Sequence, residues 1–219
     1  MKKRSNILIS PSILAGDFGK LAFEARRVER AGADWLHIDI MDGHFVPNMT
    51  IGPQAVAALK KAVKIPLDVH LMITHPHKYI KQFIEAGSDI VTIHVECASN
   101  VKKTLNEIKK MGCKCGIVIN PDTPAEKVKK YLKDIDMVLV MSVYPGFSFQ
   151  KFIPGALPKL RKIRKWINES GRKIYLQIDG GINPENAILA VESGADVLVA
   201  GGAVYGKKNI KKAINNLRI

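Results

Sequence analysis

No apolar stretch in the 219 residues approaches the roughly 20 needed to span a bilayer, so no membrane segment is expected. Cysteine is scarce. Cys97, Cys113 and Cys115 are odd in number and lack zinc-ribbon spacing, which excludes a disulfide framework and suits reduced thiols. Cys113 and Cys115 flank Lys114 at an expected strand start, where packing is the natural role. Acidic residues are outnumbered, 20 against 34 Lys and Arg, for a formal charge of +14. Aromatics make up only 6% and do not interleave with a basic stripe, which speaks against a nucleic-acid binder and leaves that class a distant alternative. The lysines fall in helical stretches such as Lys102-Lys103, Lys109-Lys110 and 127–133, between apolar positions. They read as solvated outer faces with a mild attraction for phosphates. Met1-Lys-Lys-Arg4 could open a signal peptide, but Ser10-Pro11 breaks the apolar run behind it and no cleavage pattern follows, so a cytoplasmic protein is expected.

What is present is a repeat. Apolar runs recur at Ile7–Ser10, Trp35–Ile40, Pro66–Leu71, Ile90–Val95, Gly116–Ile119, Met137–Ser142, Ile174–Ile178 and Val197–Ala200. Helix-like stretches separate them, at Lys20–Ala31, Pro53–Val63, Pro76–Ala86, Asn100–Met111, Pro124–Leu132, Leu157–Ser170, Pro184–Ser193 and Asn209–Leu217. Prolines at 53, 76, 124 and 184 suit the first helical position. The motif Gly-small-Asp closes three helices, at Gly32-Ala33-Asp34, Gly87-Ser88-Asp89 and Gly194-Ala195-Asp196, with glycine suited to a left-handed C-cap. Eight strand–helix units in a chain of this length predict one (β/α)8 barrel domain over residues 1–219, with a doubly wound sheet as the alternative. The connection Val143–Ala156, rich in Gly, Pro and aromatics, is long enough to be a lid.

Chemistry in such a barrel sits at the C-terminal strand ends. On the second run, His37 and Asp39 are two residues apart and share one face. Placed with His70 on the third strand and Asp179 at the end of the seventh, they could ligate a divalent ion such as Zn, Mn, Fe or Co and leave positions open. A purely hydrogen-bonded His–Asp cluster is the other reading. Gly180-Gly181 and Gly201-Gly202 close the seventh and eighth strands, where barrels build phosphate sites from backbone N–H groups and a short helix start, although a Gly-Gly pair also serves as a plain tight turn.

The segments Ser10-Pro-Ser-Ile-Leu14, His37-Ile-Asp-Ile-Met-Asp-Gly-His-Phe-Val-Pro-Asn48, Asp68-Val-His-Leu-Met72, Val140-Met-Ser-Val143 with Pro145-Gly-Phe147, and Asp179-Gly-Gly-Ile-Asn-Pro184 resemble the ribulose-phosphate 3-epimerase family over essentially the whole chain. The resemblance implies an isomerase that inverts carbon 3 of a ketose phosphate, D-ribulose 5-phosphate to D-xylulose 5-phosphate, with a hexulose 6-phosphate as the alternative substrate. It implies a metal on His37, Asp39, His70 and Asp179, Asp39 and Asp179 as acid and base, and no organic cofactor. It places Ser10 and His70 against the substrate and Met41, Met72 and Met141 around the reacting centre; on their own those methionines read as core filling. Contacts to the sugar phosphate are expected from Gly146, Phe147, Ser148 and Phe149 of the sixth loop, and from Asp179, Gly180, Gly181, Gly201 and Gly202. A homo-oligomer is expected, with no nucleic-acid or membrane partner. Two departures stand out. The sixth loop reads Tyr144-Pro-Gly-Phe-Ser-Phe-Gln150 where the family typically has Asn-Pro-Gly-Phe-Gly-Gly-Gln, and Gly202 stands where it usually has Ser.

Overall fold

The structure, a computed structural model, describes residues 7–218. The basic start of the chain, Met1–Arg4, lies outside them. In chain order the elements are β1 (Leu8–Pro11), α1 (Leu21–Arg30), β2 (Leu36–Met41), α2 (Pro53–Ala62), β3 (Leu67–Met72), α3 (Ile80–Glu85), β4 (Ile90–His94), α4 (Val101–Lys110), β5 (Lys114–Ile119), α5 (Glu126–Lys129), β6 (Met137–Met141), α6 (Ala156–Glu169), β7 (Tyr175–Asp179), α7 (Pro184–Glu192), β8 (Val197–Ala200), α8 (Gly202–Tyr205) and α9 (Ile210–Asn215). Each strand lies parallel to its neighbour in the order β1-β8-β7-β6-β5-β4-β3-β2. The ring closes between β1 and β2, where Asp34 and Trp35 donate their N–H groups to the Ile9 carbonyl and Ser12 bridges to His37. The expected (β/α)8 architecture is what the chain adopts.

The strands are apolar on both faces because both are covered. Ile9, Leu36, Ile38, Val69 and their equivalents face the helices in the main core. Alternate residues turn inward and fill the barrel in layers. Trp35, Ile90, Met137 and Val197, with Leu8 against them, plug the N-terminal end, and Tyr175 meets Trp35 edge-on at 5.1 Å. Polar residues occupy the layers above.

The Gly-small-Asp motif has a second use beyond capping. Gly32, Gly87 and Gly194 have φ of 94°, 104° and 111°, as the C-cap reading requires. Each following Asp then accepts the N–H that begins another strand: Asp34 from Ile9, Asp89 from Leu67 and Asp196 from Leu176, at 2.7, 2.8 and 2.9 Å. Asp136, without the glycine, does the same for Cys115 at 3.0 Å. These four carboxylates therefore tie the starts of β1, β3, β5 and β7 to the entries of β2, β4, β6 and β8. Arg218, Lys60 and Arg164 neutralise three of them.

Some boundaries differ from expectation. β5 begins at exposed Lys114, two residues before its apolar run, because Lys114 pairs with Ile90. The stretch from Pro76 divides into a single 3-10 turn and α3, broken where Tyr79 takes φ −125°. α5 is only four residues long, within an expected nine. The three cysteines are free and buried, and burial pushes the Cys113 and Cys115 thiols up to about 12.

Because Trp35 closes the barrel end from inside, Trp35→Ala should leave a cavity that the ring of strands cannot collapse around. A loss of about 3–5 kcal/mol in urea unfolding is expected; a change below 1 kcal/mol would show that the plug contributes little.

Candidate active site

The C-terminal strand ends surround a cavity of about 720 Å³. Its floor carries Asp39 from β2, Asp179 from β7, and Met41, Met72 and Met141 from β2, β3 and β6. Its wall includes Gly146, Phe147, Ser148 and Phe149 of the sixth loop, and Gly180, Gly181, Gly201 and Gly202 after β7 and β8. All thirteen of these expected residues thus meet in one space. His37 and His70 lie wholly buried just beneath it. Ser10 does not line the cavity. Its side chain is fully buried one layer deeper, and Ser12, on the same face two residues on, is the serine at the mouth. Sequence pattern alone could not separate them, since the alternation places both inward and the strand's end decides which is exposed to the cavity.

Asp39 is the hub. Its Oδ2 accepts a 2.6 Å hydrogen bond from the Ser12 hydroxyl, and its Oδ1 lies 3.1 Å from His70 Nδ1 and 3.3 Å from His37 Nε2. His37 Nε2 is also 3.8 Å from Asp179 Oδ2. One ligand atom from each of His37, Asp39, His70 and Asp179 falls within 4.8 Å of all the others.

Outside this ring two further carboxylates orient the imidazoles. Asp68 Oδ2 lies 2.8 Å from His37 Nδ1 and accepts from Gln177 Nε2 at 2.5 Å. His70 Nε2 lies 2.8 Å from His94 Nε2, and His94 Nδ1 is 3.2 Å from Glu96. Burial opposes ionisation of Glu96, but hydrogen bonds from His94, the Asn120 N–H and Thr123 hold its carboxyl below the usual range. Burial lowers His94 and takes His70 down to about 4, against the pull of Glu96 and Asp39 respectively, so both rings are neutral at pH 7. The proton positions follow. Ionised Glu96 takes the Nδ1 proton of His94, whose Nε2 must then accept from His70 Nε2. The lone pair of His70 is left on Nδ1, facing Asp39. His37, donating from Nδ1 to Asp68, likewise turns Nε2 inward, and that buried atom has no hydrogen-bond partner among the described residues.

Two imidazole lone pairs and two carboxylates thus converge on one point, a donor set suited to a borderline divalent cation. In the protein alone, burial disfavours a charged His37, but Asp39 and Asp68 raise its proton affinity well above the ordinary value. A positive charge is wanted at that point, as a proton or as a metal ion. Burial would raise Asp39 too, but the neighbouring charge of a protonated His37 holds it below the usual range. Asp179 is driven the other way, to about 7, by burial first and then by Asp39 and Asp68, with His37 opposing.

His94, Glu96 and Gln177 were not singled out from the sequence, nor was Asp68 beyond its place on the third strand. A signal existed for the first two: His94 and Glu96 repeat the two-residue spacing of His37 and Asp39 at a strand end.

If Glu96 sets the His70 tautomer, Glu96→Gln should weaken divalent-ion binding by about 10–100-fold in calorimetric titration of metal-stripped protein. The exposed Glu85→Gln should bind as the parent does. Equal affinities for Glu96→Gln and parent would show that His70 is oriented without this chain of contacts.

Comparison with known proteins agrees with this geometry. Residues 8–205 match the Ribulose-phosphate 3 epimerase family. The chain is 48% identical over 213 residues to the ribulose-phosphate 3-epimerase of Bacillus subtilis (strain 168), covering 97% of this chain and 98% of that protein. It is 46% identical over 217 residues to the chloroplastic ribulose-5-phosphate-3-epimerase of Arabidopsis thaliana, covering 98% and 77%. Among solved structures, a mutant tryptophan synthase alpha-subunit from Pyrococcus furiosus superimposes with a TM-score of 0.72 at 15% identity, over 97% of this chain and 98% of that one, a likeness of fold alone. With nearly half its residues shared along almost its full length, the chain belongs to the ribulose-phosphate 3-epimerase family.

Proposed function

We propose that this protein interconverts D-ribulose 5-phosphate and D-xylulose 5-phosphate, with Asp39 and Asp179 as the two proton-transfer groups. The observation that carries this reading is the convergence of Asp39 and Asp179, beside His37 and His70, on one cavity floor. Inversion at carbon 3 requires a proton to leave one face of the carbon and another to arrive on the opposite face. One carboxylate accepting while the other donates suits one direction, and their exchange of roles suits the reverse.

The two groups stand on β2 and β7, separated in the closed ring by β1 and β8, so they approach a ligand from different sides. Ser12 fixes the Asp39 carboxylate by its hydroxyl. The Ser142 hydroxyl, donating to the Asp179 and Gly180 carbonyls at 2.9 and 2.7 Å, fixes the backbone that carries Asp179. Met41, Met72 and Met141 are buried around the reacting centre and offer thioethers with no proton to give. They exclude water from the carbanion-like intermediate without quenching it. His37, Asp39, His70 and Asp179 would hold a divalent ion, which when bound supplies positive charge against the enediolate oxygens.

The phosphate is assigned to the glycine end of the cavity. Gly180 and Gly181 have φ of 119° and 64°, and a Cβ on either would strike Val143 or the Phe152 backbone within 2.5 Å. Only glycine lets the chain after Asp179 lie so close beneath the sixth loop. The net charge of +14 draws an anionic substrate toward this mouth and needs no nucleic-acid partner to account for it. Three free, buried cysteines support a reducing, cytoplasmic setting, and no helix among the described residues is long and apolar enough to cross a membrane.

Stripping divalent ions with a chelator should abolish turnover of D-ribulose 5-phosphate, and returning the ion should restore it. A metal-free preparation with full turnover would remove the ion from the mechanism. Asp39→Asn and Asp179→Asn should each lower kcat by at least about 100-fold, compared at equal metal content. Near-parental epimerisation by either variant would rule out the two-carboxylate reading.

A further inference from the structure

Phe149 is the one non-glycine residue with positive φ among the described residues, at 63°. A phenylalanine in that conformation is strained, and strain of this kind persists where the surroundings impose it. Burial is not the reason, since Phe149 is 78% exposed. The ring rests on Gly202, fifty-three positions later in the chain. A Cβ built on Gly202 would lie 2.6 Å from Phe149 Cε1 and 2.7 Å from Cδ1, so the ring occupies the space a side chain at 202 would need. The loop beneath is braced: Gln150 Nε2 donates to the Tyr144 and Phe147 carbonyls at 2.6 and 2.9 Å, and Asn48 Nδ2 to the Gly146 carbonyl at 2.6 Å. Both Phe149 and Gly202 line the cavity that holds Asp39 and Asp179. Phe149 and Gly202 therefore form one feature, a ring seated where residue 202 has no side chain.

We propose that Phe149, seated on Gly202, is a specificity-determining residue that closes the glycine end of the cavity and limits the length of the ketose phosphate accepted there. The inference rests on the epimerase reading, with the reacting carbon at the carboxylate floor and the phosphate at the glycine end. With carbon 3 fixed at the floor, a ketohexose 6-phosphate carries its phosphate one hydroxymethylene unit further out than a pentulose 5-phosphate. The ring stands in that extra space. Rejection of one additional carbon unit by a filled pocket amounts to about 10–200-fold in kcat/KM.

The experiment compares kcat/KM for D-ribulose 5-phosphate and for a 3-epimerisable ketohexose 6-phosphate in the parent, Phe149→Gly, Gly202→Ser and the double variant, with thermal unfolding of each as a folding control. Glycine at 149 tolerates the positive φ, so the fold should be retained. The hexulose-to-pentulose ratio should rise tenfold or more in Phe149→Gly. Gly202→Ser should disturb the ratio in the presence of Phe149, whose ring must leave, and change it by less than threefold in the Phe149→Gly background. Equal losses on both substrates, with the ratio unchanged, would make Phe149 a packing residue of the loop and overturn the inference while leaving the epimerase reading intact. A parent without turnover of D-ribulose 5-phosphate would overturn both.

Discussion

The structure turns on keeping the Asp39 carboxylate ionised inside the barrel. Removing a carboxylate from water costs several kcal/mol even after relaxation, unless partners replace the lost hydration. Asp39 is 5% exposed; the Ser12 hydroxyl donates to its Oδ2, while His70 Nδ1 and His37 Nε2 lie 3.1 and 3.3 Å from its Oδ1. Neutral imidazoles alone cannot finish the task, because the outer carboxylates turn their lone pairs inward. Asp68 does this to His37 directly and Glu96 does it to His70 through His94. The interior therefore holds more negative than positive charge around one point and draws in a cation. Raised proton affinity at His37 and at Asp179 is the same imbalance seen from two other groups.

That arrangement needs strands held in fixed register, since a slip of one residue would turn His37 and Asp39 outward. Two layers supply the rigidity. Below the polar ring, Trp35, Ile90, Met137 and Val197 fill the barrel end. At the strand starts, Asp34, Asp89, Asp136 and Asp196 each accept an N–H from the start of another strand. The second device spends charged side chains on backbone donors that would otherwise be unpaired where each strand enters the sheet.

Much of this was legible. The eight apolar runs and their proline-started, glycine-closed helices specify the barrel, because a covered parallel strand has no polar face to hide its period. His37 and Asp39 were legible because two polar residues two apart in an apolar run must share a face. Ser12 was not separable from Ser10, since that distinction depends on where β1 stops beneath the cavity rather than on which way the side chains turn. The Glu96–His94 contact escaped notice because its meaning lies in a partner, His70, two dozen residues away. Asp136 shows the limit of motif reading. It plays the same part as Asp34, Asp89 and Asp196 without the glycine that made them recognisable.

The departures from the family pattern fall outside the strands, at 144, 148 and 149 of the sixth loop and at 202, where α8 begins, while each of the four converging candidate ligands is in place. Packing explains the difference. A strand residue here touches the layer below it, its neighbours in register and the polar cluster at once, so a change at His70 would disturb Asp39 and His94 together. A loop residue answers mainly to the cavity and to whatever it rests on. For Phe149 that is Gly202, and the contact couples the two positions: a side chain at 202 requires the ring to leave, and the ring requires that 202 have none. Change there is thus possible in matched pairs, reshaping the glycine end of the cavity while the carboxylate floor keeps its geometry.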